Sequence, residues 1–259
     1  MNPHDRRVNV SPDPVTAVVL AGGLGTRIQH LLPNLPKPMA PVNGRPFLEW
    51  MVRYLAGQGI RRVILSTGHL GESIERHFQT QPVKGVSVRC VPETKPLGTA
   101  GGFLNAVRGS AENPPAWLIL NGDSLALAPL DGMLRSLAET GIDGALLGVP
   151  MPDASRYGTI EQSAAGELVA FREKRPGAGT INAGVYLVRA STLRFFPDRT
   201  PLSFEKEVFP ELTTRRVRLK VCVTQAPFLD IGTPESLPLA EAFVREHRGF
   251  WQTAEQPRS

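Results

Sequence analysis

The stretch VVLAGGLGTRIQHLLPNLPKPM, Val18 to Met39, constrains this chain more than any other segment. The apolar run Thr16–Ala21 reads as a strand buried on both faces. It leaves the sheet through Gly22, Gly23 and Gly25, where the backbone can turn sharply and group its N–H donors into an anion-binding concavity. Arg27 adds a planar fork of donors suited to a phosphate or pyrophosphate. Lys37 is restricted on both sides by Pro36 and Pro38. A tight turn without any ligand also uses glycines, but two fixed cations beside it argue for phosphate. The segment is not a dinucleotide fingerprint, because Ile28 takes the third glycine position. Nor is it a P-loop, since no Gly-Lys-Ser/Thr follows.

Beyond it, helical and strand-like segments alternate. PFLEWMVRYLAGQG predicts a helix opened by Pro46 and closed at Gly57 or Gly59, and RRVILST the next strand. GESIERHF, VSVRCVPE, TAGGFLNAVRGS, AWLILNGD, LDGMLRSLAETG and DGALLGVP continue the rhythm to Pro150. Such alternation predicts an α/β fold with a largely parallel sheet and helices on both faces. Ligands then bind outside the carboxyl ends of the strands. The glycine loop, PLGTAGG and NGD all fall at such ends and are expected to converge on one crevice. After Pro150 the pattern changes to a two-strand unit around Gly166, the strand INAGVYLVR, the helical LSFEKEVFPELT, the strand VRLKVCVTQ and a closing helix from Pro234 to about Arg245. With no linker between the halves, residues 15–248 read as one domain, with a nucleotide half (15–150) and a sugar-phosphate half (151–248). Residues 1–14 read as a flexible polar arm. Residues 249–259 form a tail whose Phe250 and Trp251 leave room for a homodimer contact.

Composition removes several classes of function. The net charge of +5 suits anionic ligands, but the arginines are scattered without aromatic interleaving, so no nucleic acid is expected as a partner. The longest apolar runs are far too short to cross a bilayer, and the early charges are followed by no apolar core of a secretion signal. Cys90 and Cys222 lie in strand-like runs and read as reduced core thiols, consistent with a cytoplasmic protein. The five histidines show no metal-ligand spacing, and no nucleophile triad stands out.

LAGGLGTR followed by PKPM resembles the signature of the sugar-1-phosphate nucleotidyltransferases. The resemblance continues in order through PLGTAGG, LNGD, YG, FREK, NAGVY and FLDIGTPE, spanning roughly Val15 to Arg245. In detailed wording the chain is most similar to the D-glycero-D-manno-heptose 1-phosphate guanylyltransferase branch of that family. The resemblance implies a Rossmann-like mixed, mainly parallel sheet, the nucleotide-diphospho-sugar transferase fold. It implies attack of a sugar 1-phosphate oxygen on the α-phosphorus of a nucleoside triphosphate, with pyrophosphate leaving. By resemblance Arg27 holds the departing phosphates and Lys37 the α-phosphate. Asp123 and Asp230 bind Mg²⁺, for which one or two carboxylates plus phosphate oxygens suffice. Lys174 neutralises the sugar phosphate and Glu173 accepts from sugar hydroxyls, while Tyr157, Gly158, Asn182 and Gly184 complete the sugar contacts. Leu20, Ala21, Gly22, Gly23, Gly25, Thr26, Leu97, Gly98, Thr99, Asn121 and Gly122 line the nucleotide.

Glu93 ends a strand beside the expected base pocket. A carboxylate accepts only, and guanine presents two adjacent donors, N1–H and the 2-amino group, so Glu93 suits GTP. UTP, dTTP or CTP with a hexose or N-acetylhexosamine 1-phosphate is the alternative within the same chemistry. A non-catalytic nucleotide-sugar sensor is the alternative of another class. It would be expected to lack a phosphate cation or a metal carboxylate, whereas Arg27, Lys37, Asp123, Lys174 and Asp230 are all present.

Overall fold

The computed structural model describes residues 15–252, except 173 and 175. The proposed arm at 1–14, the end of the tail and Glu173 lie outside the described residues. In chain order the strands are β1 (Val15–Ala21), β2 (Pro41–Val42), β3 (Arg45–Pro46), β4 (Arg62–Thr67), β5 (Ser87–Pro92), β6 (Ala116–Asn121), β7 (Ser124–Ala126), β8 (Gly144–Met151), β9 (Thr159–Gln162), β10 (Leu168–Arg172), β11 (Gly179–Arg189), β12 (Leu219–Val223) and β13 (Phe228–Asp230). The α-helices are α1 (Phe47–Gly57), α2 (Gly71–Thr80), α3 (Thr99–Ser110), α4 (Asp131–Ser136), α5 (Phe209–Thr214), α6 (Ala240–Glu246) and α7 (Gly249–Gln252).

β1 lies between β4 and β6 with parallel pairing on both sides, and β5 extends the sheet parallel to β4. β1, β4 and β6 are the buried strands that the alternating half predicts, and β5 is a largely exposed edge strand. β8 departs from that reading. It pairs antiparallel with β11 and parallel with β12, because a strand buried on both faces carries the same apolar signature whichever way its neighbour runs. The long β11 joins the two halves in one sheet. Its second half runs antiparallel to β6, and its first half meets β9, which carries β10.

Alternate side chains enter opposite faces. Ala17 and Val19 pack on one side with α1, α2, α4 and α6, and Val18, Ile64 and Ile119 on the other with α3 and α5. The helix predicted over LDGMLRSLAETG contracts to Asp131–Ser136. LSFEKEVFPELT starts as a π-helical turn, Phe204–Val208, before becoming α5.

The tail aromatics are used within the chain. Trp251 is buried against Trp50 of α1, with ring centroids 5.4 Å apart, and its indole N–H donates to the Val244 carbonyl at 3.1 Å. No second copy is needed to cover it. Cys90 and Cys222 are half-buried free thiols, and burial pushes both upward, Cys90 to about 11, which disfavours the thiolate. No helix among the described residues is long and apolar enough to cross a membrane.

Candidate active site

The glycine loop follows β1 directly, and its shape is set by what must come close to it. A Cβ on Gly25, whose φ is +60°, would lie 2.9 Å from the Lys37 Cβ, and one on Gly22 would lie 2.5 Å from Glu93 Oε1. Glycine therefore lets one cation and one carboxylate approach the loop backbone. Ile28, the residue that breaks the dinucleotide fingerprint, is 1% exposed and anchors the loop in the core, with its N–H donating to the Gly25 carbonyl at 3.1 Å. Lys37 opens a short 3₁₀ turn whose Pro38 and Met39 are buried, so its stem is held while the ammonium reaches Asp123.

Two cavities meet at this ion pair. One, of about 500 Å³, is lined by Leu20 to Thr26, Lys37, Glu93, Leu97, Gly98, Thr99, Asn121, Gly122 and Asp123, with Pro38 and Pro96. The other, of about 1050 Å³, is lined by Thr26, Arg27, Lys37, Asn121, Asp123, Tyr157, Gly158, Lys174, Asn182 and Asp230, among others. Gly25, Thr26, Lys37, Asn121 and Asp123 belong to both walls. The three strand-end motifs thus converge as the topology requires, at the carboxyl ends of β1, β5 and β6.

Asp230 is brought beside Asp123 by a two-stranded ladder in which β13 pairs with β7, Asp230 opposite Ser124. The Ile231 N–H donates to the Asp123 carbonyl at 2.9 Å. Burial, and then the negative charge of Asp123, push the Asp230 carboxyl above the usual range. The Gly232 N–H, Lys37 and Arg156 pull the other way. Two carboxylates held together in a half-buried site are a donor set for one divalent cation that completes its shell with phosphate oxygens and water. Among the described residues no group of three or more His, Cys, Asp or Glu side chains forms a metal cage.

Glu93 is half-buried below the loop. Its Oε1 accepts from the Ser66 hydroxyl at 3.0 Å, and Oε2 lies 3.4 Å from the Leu97 N–H. A Cβ on Gly102 would also come within 2.5 Å of Oε1, so Gly22 and Gly102 together make room for this carboxylate.

Gly184 lines neither cavity. With φ +70° it forms an irregularity in the β11–β8 pairing, and a Cβ there would lie 2.5 Å from Asn121 Nδ2. Its N–H donates to Asn182 Oδ1 at 3.0 Å, so it supports two asparagines from behind. Arg27 and Lys174 are exposed on the larger cavity's wall.

Several lining residues escaped sequence reasoning. Arg156 donates to the Thr233 hydroxyl at 3.1 Å beside Asp230, and Ser203, Glu205 and Lys206 line the far wall. Arg156 adjoins the YG motif, which was a usable signal. Glu205 had none, because it sits in a segment whose apolar periodicity already explains it as a helix.

Comparison with known proteins bears on this geometry. A family model described as nucleotidyl transferase matches residues 16–247. The D-glycero-α-D-manno-heptose 1-phosphate guanylyltransferase of Aneurinibacillus thermoaerophilus is 36% identical over 232 residues, 89% of this chain and 99% of the relative. The mannose-1-phosphate guanylyltransferase of Mycobacterium tuberculosis is 36% identical over 248 residues, 91% of this chain and 68% of that one. Among solved structures, HddC from Yersinia pseudotuberculosis complexed with GMP-PN superposes with a TM-score of 0.77 at 31% identity, covering 88% of this chain and 98% of that chain.

Proposed function

This chain belongs to the nucleotidyl transferase family, and from that premise we propose that it joins GTP to D-glycero-α-D-manno-heptose 1-phosphate, releasing pyrophosphate and a guanosine-diphospho sugar. The observation that carries the reading is the pair of cavities sharing Lys37 and Asp123. A two-substrate phosphoryl exchange needs its reacting phosphorus at such a junction. The guanylyltransferase relatives support the choice of base, and the heptose relative, matched over nearly its whole length, supports the choice of sugar.

Both reactants are anions, so the residues have more to neutralise and align than to protonate. The sugar phosphate is already ionised at neutral pH and needs no general base. Lys37 sits where the α-phosphate of a nucleotide in the smaller cavity meets the larger one, and stabilises charge that develops there. Arg27 lines the larger cavity and not the smaller one, so it meets the departing β- and γ-phosphates only where they extend past Gly25 and Thr26 into the larger cavity. Lys174, with Arg156, draws the sugar phosphate to the larger cavity. Glu93 accepts from guanine N1–H and the 2-amino group, and Ser66 fixes its orientation. Asp123 and Asp230 would hold Mg²⁺, which supplies charge neutralisation at the phosphates when bound. A phosphate oxygen would replace Asp123 as the partner of Lys37.

The test is a matrix of GTP, ATP, UTP, CTP and dTTP against heptose, mannose, glucose and N-acetylhexosamine 1-phosphates, read as pyrophosphate release with Mg²⁺. The expected maximum is GTP with the heptose phosphate. A pyrimidine maximum overturns the base assignment, and a mannose maximum moves the sugar assignment alone.

A further inference from the structure

The wall of the larger cavity carries a carboxylate that lies outside the sequence motifs quoted above. Glu205 lines this cavity, and both of its oxygens are held from behind. Oε1 accepts from the Tyr186 hydroxyl at 2.9 Å and Oε2 from the Ser203 hydroxyl at 2.9 Å. Tyr186 is completely buried among Phe204 and Phe209, and its hydroxyl in turn accepts from Asn182 Nδ2 at 2.8 Å. The Asn182 amide cannot be the other way round, because its Oδ1 takes the Gly184 N–H.

The chain of bonds therefore has one direction: Asn182 to Tyr186 to Glu205. One hydrogen of the Asn182 amide and one lone pair on each Glu205 oxygen remain for a ligand. The backbone under Glu205 is equally fixed. The Leu202 carbonyl accepts from the N–H groups of Ala100 and Gly101, the Leu202 N–H donates to Leu97, and the Phe204 N–H donates to the Thr99 hydroxyl.

A carboxylate on the wall of a cavity for anions repels them, so a purely structural role is poorly served by its placement there. It is well placed for a neutral ligand group that donates. We propose that Glu205 is a specificity-determining residue that accepts a hydrogen bond from a hydroxyl of the sugar, while Asn182 donates to that hydroxyl or its neighbour. The pair reads an adjacent diol, with Tyr186 and Ser203 as positioning residues. This rests on the nucleotidyl-transfer reading above and assigns a hydroxyl contact within it.

The experiment uses the full chain with Glu205→Gln and, as a milder variant that keeps the carboxylate, Tyr186→Phe. Sugar 1-phosphate binding is measured by calorimetry in parallel with turnover. Glu205→Gln is expected to weaken sugar-phosphate binding and raise its KM about tenfold, with the KM for GTP within about twofold. Tyr186→Phe is expected to shift the same parameter by a smaller factor. A panel of monodeoxy sugar 1-phosphates separates contact from scaffold. Wild type should lose about tenfold on one deoxy position, and Glu205→Gln should lose nothing further there. If Glu205→Gln leaves the sugar-phosphate KM unchanged, or if both proteins lose the same factor on every deoxy sugar, the proposal is overturned. Should Glu205→Gln fail to fold, the same panel on Tyr186→Phe decides: a loss confined to one deoxy position supports the contact, and uniform behaviour overturns it. Wild-type protein that binds sugar phosphates selectively but releases no pyrophosphate would instead overturn the nucleotidyl-transfer reading.

Discussion

Along Leu20–Gly25 the cavity wall is a glycine-rich turn laid out at the end of one parallel strand. Between Tyr157 and Asp230 it is mostly side chains, supplied by antiparallel strands, a π-helical turn and the β13 ladder. The two walls meet different demands. A triphosphate is the same in every nucleotide, and closely spaced glycines on one strand end suffice to admit it. A sugar is distinguished by the direction of its hydroxyls, which takes donors and acceptors aimed from several directions, each needing its own support. Asn182 has Gly184 and Tyr186 behind it, and Glu205 has Tyr186 and Ser203. The two walls are nevertheless joined through Leu202, bonded to the Leu97–Gly101 segment of the nucleotide side.

The largest effect should come where the walls meet. Asp123→Asn or Asp230→Asn is expected to lower kcat by at least about a hundredfold, and excess chelator to abolish turnover of the unaltered protein. Full activity in chelator would remove the two-carboxylate metal proposal. The next effect separates the two substrates' phosphates, although both cations line the larger cavity. Arg27→Ala should raise the KM for GTP, and Lys174→Ala that for the sugar phosphate, each roughly ten- to thirtyfold. Both variants moving the same substrate's KM would dissolve the division into two half-sites.

A smaller effect concerns the base. Inosine triphosphate lacks the 2-amino group, so the unaltered protein should favour GTP over it by about tenfold, and Glu93→Gln should flatten that preference. An unchanged ratio in Glu93→Gln would free Glu93 from base reading.

The smallest kinetic effect is expected at Glu49, which touches neither wall. Its buried carboxylate accepts from Arg45 at 2.6 Å and Arg53 at 2.8 Å, and pairs with His77 at 2.9 Å. Burial alone would raise its pKa, but the bonds from Arg53, His77 and Arg45 outweigh it and hold the carboxyl below the usual range. The folded state thus releases this proton more readily than the unfolded chain. The stabilisation is present above the unfolded pKa and fades as pH falls through the folded one. Glu49→Gln should lower stability by about 2 kcal/mol at neutral pH, with both KM values unchanged. A shift in either KM would show that the α1–α2 scaffold reaches the site.

The same contrast explains what could be read in the sequence. The loop Gly22–Gly25, Lys37 between its prolines and NGD are local signals, in which residue type and spacing lie within a few positions. The topology then needs only to bring strand ends together. Ile28 was visible as a departure from a fingerprint, and its burial supplies the reason. Glu205 was not legible, because its place depends on the π-helical turn at Phe204–Val208 and on a hydroxyl from β11. Neither follows from an apolar pattern that fits an ordinary helix equally well. The direction of β8 was hidden for a similar reason, since burial on both faces does not record which way a neighbour runs.

The central claim is that one wall holds a triphosphate, the other a sugar phosphate, and that the α-phosphorus passes directly between them at Lys37. GTP radiolabelled at the α- or the γ-phosphorus, incubated with the sugar 1-phosphate and Mg²⁺, tests this in one measurement. All of the α label should appear in the guanosine-diphospho sugar and all of the γ label in pyrophosphate, with none retained on denatured protein. Label from the γ position in the sugar product, or α label bound covalently to the chain, would contradict the account.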